Sequence, residues 1–187
     1  MGPLERKMEL QEIDTREKIV RAAMKVFASH GLFRAPLSLV AKEAGVSKAL
    51  IFWYFRNRDE LVKEVIKRAL PTDVMRTCLE KKLAGQELLR CIGEKYFEKY
   101  SDLIMRMLLV HTMAARGLID YVDEAFEELC TEYLAELAER SWGSRDKESR
   151  IRARMLFGSL LCYALNPPRD IEPSEYVEKI VEILSKK

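Results

Sequence analysis

Apolar residues recur every three to four positions along nearly the whole chain, and no alternating pattern lasts five residues. That period belongs to helices, so the sequence predicts an all-α fold of nine or ten of them. The first is predicted over about 15–30, with Ile19, Ala22, Ala23, Val26 and Phe27 on its inner face. Asp14 and Glu17 stand three apart at its start, the spacing of a capping box, and Gly31 stops it. Short helices follow over about 37–44, ending at Gly45, and over about 48–55, with Ser47 as N-cap. Asn57 caps the next, whose first turn holds Asp59 and Glu60, and Pro71 interrupts it near its end. Further helices are predicted at about 72–84, 86–100, 102–116, 120–142, 145–165 and 174–185. Gly85, Gly117, Gly143-Ser144 and Asn166-Pro167-Pro168 punctuate them, and no internal repeat is present.

With 187 residues and 48% hydrophobic content, the chain can bury a core of one or two domains. No apolar run reaches the roughly 18–20 residues that cross a bilayer. The opening residues lack the apolar centre of a secretory signal, so the expectation is a soluble, cytoplasmic protein without membrane contact. The net charge of +2 conceals a split, with +5 on residues 1–70 and −3 on residues 71–187. A basic head of this kind suits a polyanion. Cys78, Cys91, Cys130 and Cys162 form no C-x-x-C pair, and His30 and His111 lie far apart, so neither a metal nor a cofactor is expected. The cysteines read as core residues. Asn and Gln total only four beside abundant Glu, Lys and Arg, a balance that leans towards a thermophilic source, where an intracellular disulfide is less unusual. The nucleotide-binding, zinc-protease and di-iron motifs are all missing, which argues against an enzyme. A scaffold that binds no DNA is the other alternative, and the basic head argues against it.

The most specific feature is the run from Leu37 to Phe52. A helix-turn-helix needs a small residue where its two helices touch, a position tolerating positive φ in the turn, and an aliphatic residue closing the core. Ala41, Gly45 and Ile51 stand at those three spacings, with Val40, Ala44 and Val46 completing the packing. Around it lie Ile19-Val20-Arg21-Ala22-Ala23, Phe27 and Gly31 before, and Phe52-Trp53-Tyr54-Phe55 and Asn57-Arg58-Asp59-Glu60-Leu61 after. Over about residues 15–61 this arrangement resembles the tetracycline-repressor (TetR) family of transcriptional regulators.

The resemblance implies an N-terminal three-helix DNA-binding domain, placed at 12–71, and a helical-bundle effector-binding and dimerisation domain, placed at 72–187. It further implies a homodimeric repressor on a palindromic double-stranded DNA operator, released by a small, largely apolar effector. Three positions depart from the family's pattern. Ala35-Pro36 replaces a hydroxyl residue at the start of the second helix, leaving Ser38 as substitute; Phe52 replaces a tyrosine; Arg58 replaces a lysine. Leu37, Ser38, Ser47, Lys48, Trp53, Tyr54 and Arg58 are the expected DNA contacts, with Lys48 and Arg58 on phosphates. Ala49 and Leu50, which lack hydrogen-bonding groups, are expected to read thymine methyls. Ile51 and Phe55 are expected in the core, and one of Trp53 and Tyr54 packs on the fold.

For the body, the resemblance places an apolar effector cavity within about 86–142. Tyr96, Tyr100, Met107, Phe126 and Tyr133 are its candidate walls, and Arg106 and His111 its candidate polar contacts. The plainer reading of these residues is a helical core. The last two helices look suited to association. Gly158 and Cys162 form a notch of small residues, and Val177, Ile180, Val181 and Leu184 form a stripe, so both are candidate dimer contacts. Either could instead cover the subunit's own core.

Overall fold

The computed structural model describes residues 3–186, with side chains from Asp14 onward, and every regular element among them is helical. Helix α1 spans Pro3–His30 and buries Ile19, Val20, Ala22, Ala23, Val26 and Phe27. It begins well before Asp14, so the expected capping box is not there. Glu17 sits inside the helix and instead accepts from Arg21, at 2.9 Å, and from Arg68, at 2.8 Å. Gly31, at φ 86°, ends α1 with its N–H on the Phe27 carbonyl.

Helices α2 (Leu37–Ala44) and α3 (Lys48–Tyr54) form the predicted pair. Gly45 turns between them at φ 63°, in the left-handed region that costs a residue with a Cβ. The Ser47 hydroxyl accepts the Leu50 N–H, and the Asn57 side chain accepts the Glu60 N–H at the start of α4 (Arg58–Ala69). Both caps stand where the sequence puts them.

Helices α5 (Thr72–Glu80), α6 (Gly85–Tyr100) and α7 (Leu103–Ala114) follow. The segment read as one helix over 120–142 is α8 (Asp120–Glu128), a π-helical turn at Leu129–Tyr133, and α9 (Leu134–Trp142). Helices α10 (Lys147–Leu165) and α11 (Pro173–Ser185) complete the chain.

Helix α6 is the axis of the body and carries α5, α9, α10 and α11 around it. Its closest approach is to α11, where a Cβ on Gly93 would lie 2.8 Å from both Val177 methyls. The head rests on the body through α7, which packs on both α1 and α4. Cys78 and Cys91 are buried as expected, but they are bonded to each other, with their Cα atoms 5.9 Å apart, and so staple α5 to α6. Cys130 is half-buried and Cys162 exposed, so the core reading fails for Cys162.

Candidate nucleic-acid interface and ligand cavity

The local packing of α2 and α3 fixes which side of α3 faces out. Val40, Ala41, Ala44 and Ile51 are buried between the helices, and Phe55 closes the end. Lys48, Ala49, Phe52 and Trp53 are left exposed on one face of α3, while Leu50 and Tyr54 are half-buried. Trp53 is 64% exposed, an unusual state for so large an aromatic group on a surface with no function. It rests edge-on against Tyr54, which packs on the core, so one of the two is on the fold and one is free, as expected. Lys48 extends its ammonium over the Phe52 ring, 5.8 Å from the centroid. Ser38 is exposed in the first turn of α2.

Two expected contacts are corrected. Leu37 is buried, so its side chain belongs to the helix-turn-helix core. Arg58 is half-buried and turned inward, donating to the carbonyls of Leu32, at 2.6 Å, and Ala35, at 3.2 Å, with its guanidinium over Phe27. A guanidinium saturating two carbonyls of the α1–α2 turn is a clamp on that turn. Exposed cations in and next to the helix-turn-helix sequence include Arg34, Lys42, Lys48 and Arg56, of which Lys48 was singled out by its place in the motif.

Below the head lies an apolar cavity of about 190 Å³. Leu70 and Pro71 roof it, Tyr96 enters from α6, and Leu109 and Met113, one turn apart, enter from α7. Phe126, Leu129, Cys130 and Leu134, in and beside the π turn, form one wall, and Arg154, Phe157, Gly158 and Leu161 of α10 close the far side. Of the expected wall residues, Tyr96 and Phe126 are present. Burial pushes the Tyr96 hydroxyl's pKa well above its ordinary value, and the group has no hydrogen-bond partner among the described residues.

The other expected ligand contacts serve the fold. Tyr100 donates to the Ala69 carbonyl at 2.7 Å, and Arg106 reaches the Ala164 carbonyl at 3.2 Å. Met107 and Tyr133 pack against the core away from the cavity. His111 Nε2 faces the Ala28 carbonyl of α1 at 3.1 Å, so it belongs to the seam between head and body. Sequence reasoning missed Leu109, Met113, Cys130 and the α10 wall, because an apolar residue lining a cavity and one filling a core have the same periodicity.

The dimer candidates also divide. Val177, Ile180, Val181 and Leu184 are buried against their own subunit, so that stripe is not free for a second copy. Gly158 and Cys162 are exposed, and Ile151, Met155 and Leu165 are exposed beside them. The five recur at four, three, four and three residues, a continuous seam along the outer face of α10.

A short two-helix unit with a left-handed glycine turn, a solvent-facing second helix and basic surroundings defines a helix-turn-helix protein of the DNA-binding class. Residues 19–65, the stretch that holds the helix-turn-helix, match the model of bacterial regulatory proteins of the tetR family. The regulator TtgR of Pseudomonas putida is 40% identical over 60 residues, covering 32% of this chain and 28% of TtgR. The matched stretch thus spans less than half the length of such relatives. The transcriptional activator FasR of Mycolicibacterium smegmatis is 25% identical over 180 residues, covering 90% of this chain and 80% of FasR. The solved FadR of Bacillus subtilis in complex with stearoyl-CoA shares the fold at a TM-score of 0.67 and 20% identity, covering 90% of this chain and 97% of that one.

Proposed function

We propose that this protein is a ligand-responsive transcriptional regulator, a cytoplasmic homodimer that represses from a palindromic operator and is released by an effector with an apolar portion. The head is placed at 12–71 and the body at 72–187. The observation that carries the reading is the double role of α7. Leu109 and Met113 line the cavity, while His111, between them in sequence, touches the end of α1. A ligand that displaces the cavity side of α7 moves the seat of the head. Effector binding then favours a body shape in which the two heads no longer fit one DNA face.

On DNA, Lys48 supplies phosphate charge, and Ala49 and Leu50 supply apolar contact to thymine methyls. Ser38, Trp53 and the backbone N–H groups at the start of α3 fix the register on the backbone. FadR, which shares this fold, is described with stearoyl-CoA, and that similarity supports an acyl chain as the apolar portion. Mobility shift of the duplex upstream of the coding region tests the reading. Retardation that weakens with salt, and is reversed by small molecules extracted from the protein purified from its own host, is the expected result. Absence of retardation at low salt would overturn the DNA-binding assignment. Retardation that no extracted or acyl compound changes would overturn the ligand-responsive part.

A further inference from the structure

Tyr96 brings to the cavity wall a polar group that the fold does not use. It is 2% exposed, and a tyrosine buried this deeply ordinarily finds an acceptor for its hydroxyl. Three other tyrosines packed in the body do so. Tyr100 donates to the Ala69 carbonyl at 2.7 Å, Tyr163 to the Ile171 carbonyl at 2.6 Å and Tyr176 to the Ser159 carbonyl at 3.2 Å. Tyr96 donates to none among the described residues. Nor is its oxygen sealed among packed atoms, as Arg106 Nε and Ser141 Oγ are, so it meets open space, and the open space that Tyr96 borders is the cavity. Its ring is held in place, with the Tyr100 ring 4.4 Å away between centroids and Phe157 edge-on at 6.0 Å.

Burial keeps this hydroxyl protonated far above neutral pH, so it stands as a donor. The other side chains of the cavity are apolar, apart from Cys130 and the exposed Arg154. Among them a water finds too few of the roughly two to four polar partners it needs. The volume, about 190 Å³, is near that of an apolar cavity of about 150 Å³ that takes benzene. We infer that the Tyr96 hydroxyl is the specificity-determining contact of the effector site, donating to a carbonyl-type acceptor on a compact, uncharged ligand the size of a substituted benzene. The inference rests on the cavity being the effector site. A hydrocarbon of the same shape would leave the hydroxyl unpaired in the complex. A carboxylate would find in Tyr96 one neutral donor, too little to replace its hydration.

Calorimetric titration of the full-length protein with acetophenone and with α-methylstyrene, in which a methylene replaces the carbonyl oxygen at nearly unchanged shape, tests it. Relative to the parent, Tyr96→Phe should bind acetophenone about three- to tenfold more weakly and α-methylstyrene equally well or better. The free Tyr96→Phe protein should unfold at the same temperature or higher, because the hydroxyl it loses has no partner in the fold. Acetophenone affinity unchanged by Tyr96→Phe, or both compounds weakened alike, would overturn the donor role and leave the cavity reading standing. A clearly lowered unfolding temperature would do the same, by giving the hydroxyl a structural task. Binding of neither compound by the parent would overturn both.

Discussion

At the scale of single residues, Lys48 and Arg58 separate what charge does on a surface from what it does inside a turn. Lys48→Ala removes an exposed point charge, so DNA affinity should fall about equally for all sequences and the salt slope by about one unit per subunit contact. Thermal stability should be unchanged. Arg58→Ala instead abandons the Leu32 and Ala35 carbonyls, and should cost about 1–3 kcal/mol of stability by denaturant titration. If Arg58→Ala folded as stably as the parent and only lowered the salt slope, the clamp would be the wrong reading. Motif spacing located Arg58 but could not orient it, because its acceptors lie 26 and 23 residues earlier and only tertiary folding brings them there. The caps at Ser47 and Asn57 were legible because each closes a loop of three residues.

Glu17 gives a pH-dependent case at the same scale. Hydrogen bonding from Arg68, aided by Arg21, holds its carboxyl down to about 2 from an ordinary 4.5. Because the folded group ionises more readily than the unfolded one, its contribution is fully present above about pH 4.5 and is lost as the pH falls towards 2. The pair is partly exposed, so added salt should weaken the contribution. Glu17→Gln should therefore lose less stability than the parent across that interval, most visibly at low salt. Parallel acid denaturation curves for the two proteins would contradict this.

At the scale of helices, Gly93 is where α6 and α11 approach closest. An alanine there would drive its Cβ into Val177, and overpacking of this kind costs about 1–3 kcal/mol. Gly93→Ala should lower the Tm by several degrees, and Val177→Ala in the same chain should recover part of the loss. A Gly93→Ala protein as stable as the parent would show that the contact is slack. The same contact explains why the α11 stripe was misassigned. Val177, Ile180, Val181 and Leu184 are an amphipathic face, and periodicity says that such a face is buried without saying against what. Helix α10 poses the problem in sharper form, since it is apolar on two sides. Leu156 and Leu160 face the core while Ile151, Met155 and Leu165 face out. The π turn at Leu129–Tyr133 was equally hidden, because one extra residue in a turn leaves the apolar spacing nearly unchanged, yet it shapes the cavity wall.

At the scale of the molecule, the proposed homodimer needs an uncovered apolar face, and the outer seam of α10 is our candidate for it, one that would set two heads at a fixed separation. Ile151→Glu/Met155→Glu puts like charges on both sides of a two-fold contact and should give a monomer by light scattering, with DNA affinity reduced accordingly. An unchanged dimer mass would move the interface elsewhere. The helix-turn-helix was legible in the sequence because its determinants are local and mutually spaced. The cavity and the seam were not, because each depends on which of several apolar faces meet.

In the proposed dimer, two α3 helices read DNA together. In vitro selection of bound duplexes from a random pool tests it most directly. The expected result is enrichment of an inverted repeat whose half-sites present successive major grooves, about 34–36 Å apart for one helical turn and farther for a longer operator. Thymines should be favoured where Ala49 and Leu50 meet the bases. Enrichment of a single unrepeated site, or of no sequence at all, would contradict it.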